Sequence, residues 1–332
     1  MPTVYSATGE PRDLGERLGG GGEGEVWKLV GREDLAIKVY HPRVLESGRE
    51  RLKNKIEAMI ALKADMKGLP LAWPQLSIYD KNLCWQGYAM YRGQGRLMQH
   101  MTLPPLQKQH FPDLGRTKIS RYLISLLTTV QQLHRAGIHL GDVNLRNVLV
   151  DPNGSEAFLI DCDSMQLRTA NGLFYPCVVG TPDLTAPEHM GRNFDQVTRT
   201  NESDAYSLAI LIFQCFMLGR HPFDQIEGTT PVQNMKSGHF PYGKTGIVPG
   251  AAGGIPIGPW YLQWSWLSHR IKDAFCTTFR EGSSDPTKRT TLLQWIDHLE
   301  KYIYSIDNPL KYGLVDNLRP PEPKLNSGYN KE

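Results

Sequence analysis

The chain has 332 residues, of which 40% are hydrophobic and 21% charged, a balance that excludes wholesale disorder. Lys and Arg number 37 against 34 Asp and Glu, so the net charge is +3, too small an excess to argue for a nucleic-acid partner. Five scattered cysteines (Cys84, Cys162, Cys177, Cys215, Cys276) include no CxxC pair, which argues against a disulfide framework and against a zinc half-site.

The first ten residues carry neither a basic start nor an apolar run, so no signal peptide is read there, and a cytoplasmic protein is expected. Residues 14–40 alternate and carry glycine turns, predicting a hairpin of strands. Arg49–Lys67 sets Leu52, Ile56, Met59, Ile60 and Leu62 at helical spacing between lysines, predicting an amphipathic helix with a solvated lysine face. Residues 76–92 are rich in Tyr, Trp, Ile and Leu and suit two more strands. Thr117–Ala136 repeats Ile119, Tyr122, Leu123, Leu126, Leu127, Val130 and Leu133 at helical period and stops at Gly137. Short β-prone pieces follow at 148–151 and 157–161, and beyond about residue 180 the pattern is mostly helical. Ala205–Gly219 is uncharged but 15 residues long, short of the roughly 20 a membrane span needs, and predicts a buried core helix. Pro241–Pro259 is a Gly/Pro-rich loop, Gln294–Ile306 a last helix, and Leu318–Glu332 a polar tail.

Three motifs carry chemistry. Gly19, Gly21, Gly24 and Val26 fit G-x-G-x-x-G-x-V. Glycines let phosphate oxygens approach backbone N–H groups, though a hairpin turn has the same composition. A dinucleotide fold would need a helix next, and Val26–Val30 continues as a strand. Leu35-Ala36-Ile37-Lys38-Val39 is a strand with one lysine, which alone fits a surface position equally well. Glu57, with Glu50 as competitor, is the carboxylate that could orient it. Last, Asp142 and Asn147 stand five apart in His139-Leu140-Gly141-Asp142-Val143-Asn144-Leu145-Arg146-Asn147. Asp161 follows in Ile160-Asp161-Cys162-Asp163, then Gly180-Thr181-Pro182, Ala186-Pro187-Glu188, Asp204 and Arg289.

In this order and with these gaps the segments resemble the eukaryotic-type protein kinase set over about residues 14–300. The resemblance implies an α+β, two-lobed fold, with a small β-rich N-lobe carrying one main helix and a larger, mostly helical C-lobe. It divides the chain into an N-terminal extension (1–13), an N-lobe (14–92), a C-lobe (93–306, with an insertion at about 241–259) and a tail or linker (307–332). It implies an ATP- and Mg²⁺-dependent enzyme, with Mn²⁺ as alternative metal, that transfers the γ-phosphoryl group to Ser/Thr hydroxyls of protein substrates and phosphorylates itself. By position, Gly19, Gly21, Gly24, Val26 and Ala36 would line the nucleotide, Met90, Tyr91 and Arg92 would meet adenine, and Lys38 would pair with Glu57. Asp142 would be the catalytic base, Arg146 the cation of the catalytic loop, and Asn147 and Asp161 the metal ligands. Thr181 would face substrate, Glu188 would pair with Arg289, and Asp204 would brace the catalytic loop.

Three positions depart from the pattern. H-R-D reads Leu140-Gly141-Asp142, so the arginine that answers an activation-loop phosphate is missing, and His139 sits one residue early. Asn144 stands where a lysine is usual. D-F-G reads Asp161-Cys162-Asp163, and Asp163 is read as a solvated or capping residue ahead of a metal ligand. These oddities resemble a bacterial subgroup fused to helix-hairpin-helix segments or found in stress- and tellurite-resistance-type gene clusters, where a cognate phosphatase is a possible partner. A pseudokinase is the alternative reading and a small-molecule kinase a weaker one. The segment Thr181–Glu188, which docks peptides in this family, argues against the latter. Neither a membrane nor a nucleic-acid partner is expected.

Overall fold

A computed structural model describes residues 2–243 and 253–319. Residues 244–252 of the Gly/Pro-rich insertion expected at 241–259 therefore lie outside the described residues, as do residues 320–332 of the tail. The chain divides into two compact units: 1–94 with 158–163 and 169–175, and 95–157 with 164–168 and 176 onward.

The first unit is a closed antiparallel barrel in the order β1-β2-β3-β4-β6-β5. Its strands are β1 (Thr3–Tyr5), β2 (Pro11–Gly20), β3 (Gly24–Leu29), β4 (Arg32–Tyr40), β5 (Pro74–Tyr79) and β6 (Trp85–Tyr91). The residues expected to form an N-terminal extension instead complete it: Val4 pairs with Arg12 and Tyr5 with Tyr79. Side chains alternate across a strand. Leu35 and Ile37 of β4 thus join Val4, Leu14, Leu29, Ile78 and Ala89 in the barrel core. Ala36, Lys38 and Tyr40 take the other face, and they are buried too.

One helix, α1 (Pro42–Ala61), follows β4. It begins seven residues before the expected Arg49, because Pro42 fits the first helical turn, where its missing N–H costs nothing. Gly48 has non-helical backbone and breaks it, so the expected start lies just past the break. Ile56 and Met59 are buried, and the Trp73 ring nitrogen donates to the Met59 carbonyl at 2.8 Å.

The second unit is mostly helical: α2 (Pro104–His110), α3 (Arg116–Arg135), α4 (Asn201–Phe216), α5 (Pro231–Ser237), α6 (Trp260–Ser265), α7 (His269–Phe279), α8 (Glu281–Ser284), α9 (Leu292–Asp307) and α10 (Pro309–Tyr312). A short ladder pairs β7 (Arg96–Leu97) with β8 (Val148–Val150). Helix α3 ends as its sequence predicts: Gly137 takes φ +73° and Ile138 N–H returns to the Leu133 carbonyl. Helix α4 opens with a capping box between Thr200 and Ser203. It is buried almost all round, so the uncharged run is a core helix. Its Phe213 meets Phe240, Tyr242, Trp264, Phe275 and Phe279 with ring centroids 5.0–6.4 Å apart. Truncating one such buried aromatic to alanine costs about 3–5 kcal/mol. Arg116, fully buried, is tied to Gln263 and Tyr302, a polar anchor that helical periodicity does not reveal. No described helix is long and apolar enough to cross a membrane.

Candidate active site

The glycine segment turns from β2 into β3, with Gly21 N–H bonded to the Gly24 carbonyl at 2.9 Å. A Cβ at Gly19 or Gly21 would meet nothing within 4 Å, so these backbones are approachable. Gly24 has a different reason to be glycine: a Cβ there would lie 2.4 Å from the Val39 carbonyl oxygen. Two residues outside the motif hold the turn. A His41 ring nitrogen lies 3.1 Å from the Gly21 carbonyl oxygen, and Arg43 donates to the Gly22 carbonyl at 2.7 Å. A cation three residues past the end of β4 is the only hint the sequence offered. Val26 lies opposite Lys38 across the β3–β4 ladder, and Ala36 lies opposite Met90 across β4–β6. Tyr91 is exposed, and Arg92 is engaged with Glu33 at 2.9 Å.

Lys38 does not meet Glu57. The Glu57 side chain is exposed and accepts from Ser77 Oγ at 2.5 Å, while Trp85 Nε1 donates to that Ser77 oxygen at 3.0 Å. Lys38 Nζ instead donates to Asp161 Oδ1 at 2.8 Å and to the two Asp163 oxygens at 2.9 and 2.7 Å. The expectation of a solvated Asp163 is thereby overturned: its side chain is 3% exposed, and Tyr40 adds a hydroxyl donor at 2.5 Å. Strand alternation explains the set, since it puts Lys38 and Tyr40 side by side. Burial pushes the Asp163 carboxyl up, but Lys38 and Tyr40 outweigh it and hold the carboxyl down. Burial likewise works against the Lys38 ammonium, and the two carboxylates keep it charged. Asp161, held at φ +60°, has its carboxyl raised by burial despite Lys38.

In the second unit, Asp142 follows α3 in a loop stapled from below. Asp204 of α4 accepts the backbone N–H groups of Leu140 at 2.7 Å and Gly141 at 3.2 Å, and His134 lies 3.0 Å from the same carboxylate. Asn147 Nδ2 donates to the Asp142 carbonyl at 3.2 Å. Thr181 Oγ1 donates to Asp142 Oδ1 at 3.0 Å. Beside Asp142 stands Asn144, whose Nδ2 reaches Asp142 Oδ2 at 3.2 Å, while the Arg146 side chain, expected as the cation of this loop, is exposed. Gly141 explains the missing arginine of the triplet. Its φ is +70°, and a Cβ would lie 2.5 Å from Cys177 Sγ. Farther on, Arg289 forks onto Glu188 at 2.8 and 2.7 Å.

Taken unit by unit, Asp161 of the first carries carboxylate oxygens, a hard donor type of the kind a divalent cation takes, and Asn147 of the second has its Nδ2 turned to the Asp142 carbonyl.

A barrel with a buried strand lysine, and a helical unit whose Asp–Asn loop is braced by a core-helix aspartate, are the marks of a protein kinase domain. The chain belongs to that family, which matches residues 13–299. It is 30% identical over 306 residues to "Protein kinase YegI" of Escherichia coli O157:H7, covering 90% of this chain and 46% of that protein. The namesake in Escherichia coli strain K12 is 29% identical over 304 residues, 90% of this chain and 45% of its own length. The ovarian-specific serine/threonine-protein kinase Lok of Drosophila melanogaster is 31% identical over 126 residues, 37% of this chain and 25% of that protein. The chain thus spans about half the length of the YegI proteins.

Proposed function

We propose that the chain is an ATP- and Mg²⁺-dependent protein kinase acting on Ser/Thr hydroxyls, including its own. The observation that carries this reading is the Thr181 hydroxyl donating to Asp142 Oδ1 at 3.0 Å. That is an aliphatic hydroxyl at proton-transfer distance from the family's catalytic carboxylate. Asp142 orients the acceptor hydroxyl and takes its proton. Lys38 engages phosphate oxygens, over which the glycine turn closes. Asp161 and Asn147 are the oxygen donors the family motif gives to the metal; they would hold it, and when bound it would supply neutralisation of phosphoryl charge. The D-V-N-x-R-N loop and the I-D-x-D-S segment support placing the chain in the bacterial subgroup found with helix-hairpin-helix segments or in resistance-type clusters. A cytoplasmic setting, protein substrates and a cognate phosphatase belong to the same reading.

Incubation with labelled ATP and Mg²⁺, followed by phosphosite mapping, tests it. Phosphate on Ser or Thr of the chain or a generic acceptor, lost in Asp142→Ala, is the expected result. ATP binding without transfer at high enzyme concentration, with Mg²⁺ and with Mn²⁺, would establish the pseudokinase instead.

A further inference from the structure

Lys38 has exchanged one carboxylate partner for another. A buried ammonium without a counter-charge is strongly disfavoured, so some carboxylate must accompany it. The lysine has three N–H donors, and three oxygens lie within hydrogen-bond distance, one of Asp161 and two of Asp163, with Glu23 farther out at 3.8 Å. The two aspartates are not equivalent. The Asp161 side chain is 40% exposed, while that of Asp163 is 3% exposed and receives Tyr40 as well. Asp161 is also the residue that a metal would claim. Glu57 on α1 is exposed and engaged with Ser77, which is itself held by Trp85.

We propose that Asp163 is the positioning residue for Lys38, a permanent orienting carboxylate that replaces the helix glutamate and holds the ammonium whether or not Asp161 is drawn to metal. The inference rests on the kinase reading above. Its consequence is regulatory: the lysine is set from within its own barrel and the segment after Asp161, so the placement of α1 does not gate it.

The test compares the wild-type chain with Asp163→Asn, Glu57→Gln, Lys38→Met and the double variant Asp163→Asn/Lys38→Met. Affinity for a fluorescent ATP analogue, KM for ATP, kcat and melting temperature are measured for each. Asp163→Asn should weaken nucleotide affinity and raise KM for ATP by roughly tenfold or more, and the double variant should be no worse than Lys38→Met alone. Glu57→Gln should stay within about twofold of wild type in both. Loss of nucleotide affinity in Glu57→Gln, or near-wild-type affinity in Asp163→Asn, would overturn the proposal. Should Asp163→Asn fail to fold, Glu57→Gln decides alone. Because affinity is read without turnover, a wild type that binds ATP but transfers nothing sinks the kinase reading and still leaves the lysine's partner to be decided.

Discussion

Asn144 donates through Nδ2 to Asp142 Oδ2 at 3.2 Å while its own Oδ1 takes the backbone N–H of Arg146 at 2.8 Å. One amide therefore ties the Asp142 carboxylate, the proposed base, to the turn that follows it. Asn144→Ala should loosen that carboxylate, leaving it held by Thr181 at 3.0 Å and by Asn147 at 3.4 Å. Misplacement by about 1 Å can cost about 10²-fold, so a fall in kcat approaching that size is expected, with KM for ATP little changed. Asp142→Ala should lose about 10²- to 10⁴-fold, the usual contribution of a positioned base. Steady-state kinetics on both variants check the ranking, and a fully active Asn144→Ala would remove the positioning role.

Restoring the family's arginine by Gly141→Arg should destabilise the protein and not improve it. The left-handed backbone costs a residue with a Cβ about 1–2 kcal/mol, and the side chain would also collide with Cys177. Removing the collision in Gly141→Arg/Cys177→Ala should recover only part of the loss. Denaturant melts measure it, and a single variant as stable as wild type would contradict the geometry.

Arg289 has a 1%-exposed side chain, forks onto Glu188 and stacks 4.8 Å over the Tyr206 ring. Glu188→Gln leaves that cation without its counter-charge. Because Glu188 is 30% exposed, water screens part of the loss, and a cost of about 1–3 kcal/mol is expected. Arg289→Lys should not be conservative, since an ammonium cannot fork onto both carboxylate oxygens. Equilibrium unfolding of the two variants provides the comparison.

Burial pushes the Asp204 carboxyl up, yet His134 and the Leu140 N–H outweigh it and hold it below its usual 3.8. A carboxyl lowered on folding contributes stability that is complete above its unfolded value and is lost as pH falls through the folded one. The acid limb of the stability curve below about pH 4 should therefore carry an Asp204 contribution. Asp204→Asn should be less stable at neutral pH and show a shallower acid limb. Parallel limbs would assign the acid loss elsewhere.

Periodicity made long elements legible: α3 begins and ends within a residue of its expected bounds, and the run within α4 declared itself by composition. What spacing could not convey was which strand face a residue shares. Asp163 read as a solvated or capping residue because nothing local to it shows that Lys38 and Tyr40 lie on one face of β4, both aimed at the segment after Asp161. Glu57 read as the partner of Lys38, with Glu50 as competitor, because helical spacing places it near the apolar stripe but does not show whether it points at the lysine or at Ser77. Asn144 was visible only as a departure from a pattern, and its bond to Asp142 depends on the short turn at Arg146. The membership of 158–163 in the first unit is a long-range contact that no local signal carries.

The strand Thr3–Tyr5 closes the barrel ladder, bridging β2 on one side and β5 on the other. That strand covers Pro11–Asp13 of β2 and Tyr79 of β5, so these backbone groups are not offered to a foreign strand. Trimming the first ten residues would expose two edges at once, and a chain shortened there should aggregate even though every residue of the catalytic motifs remains.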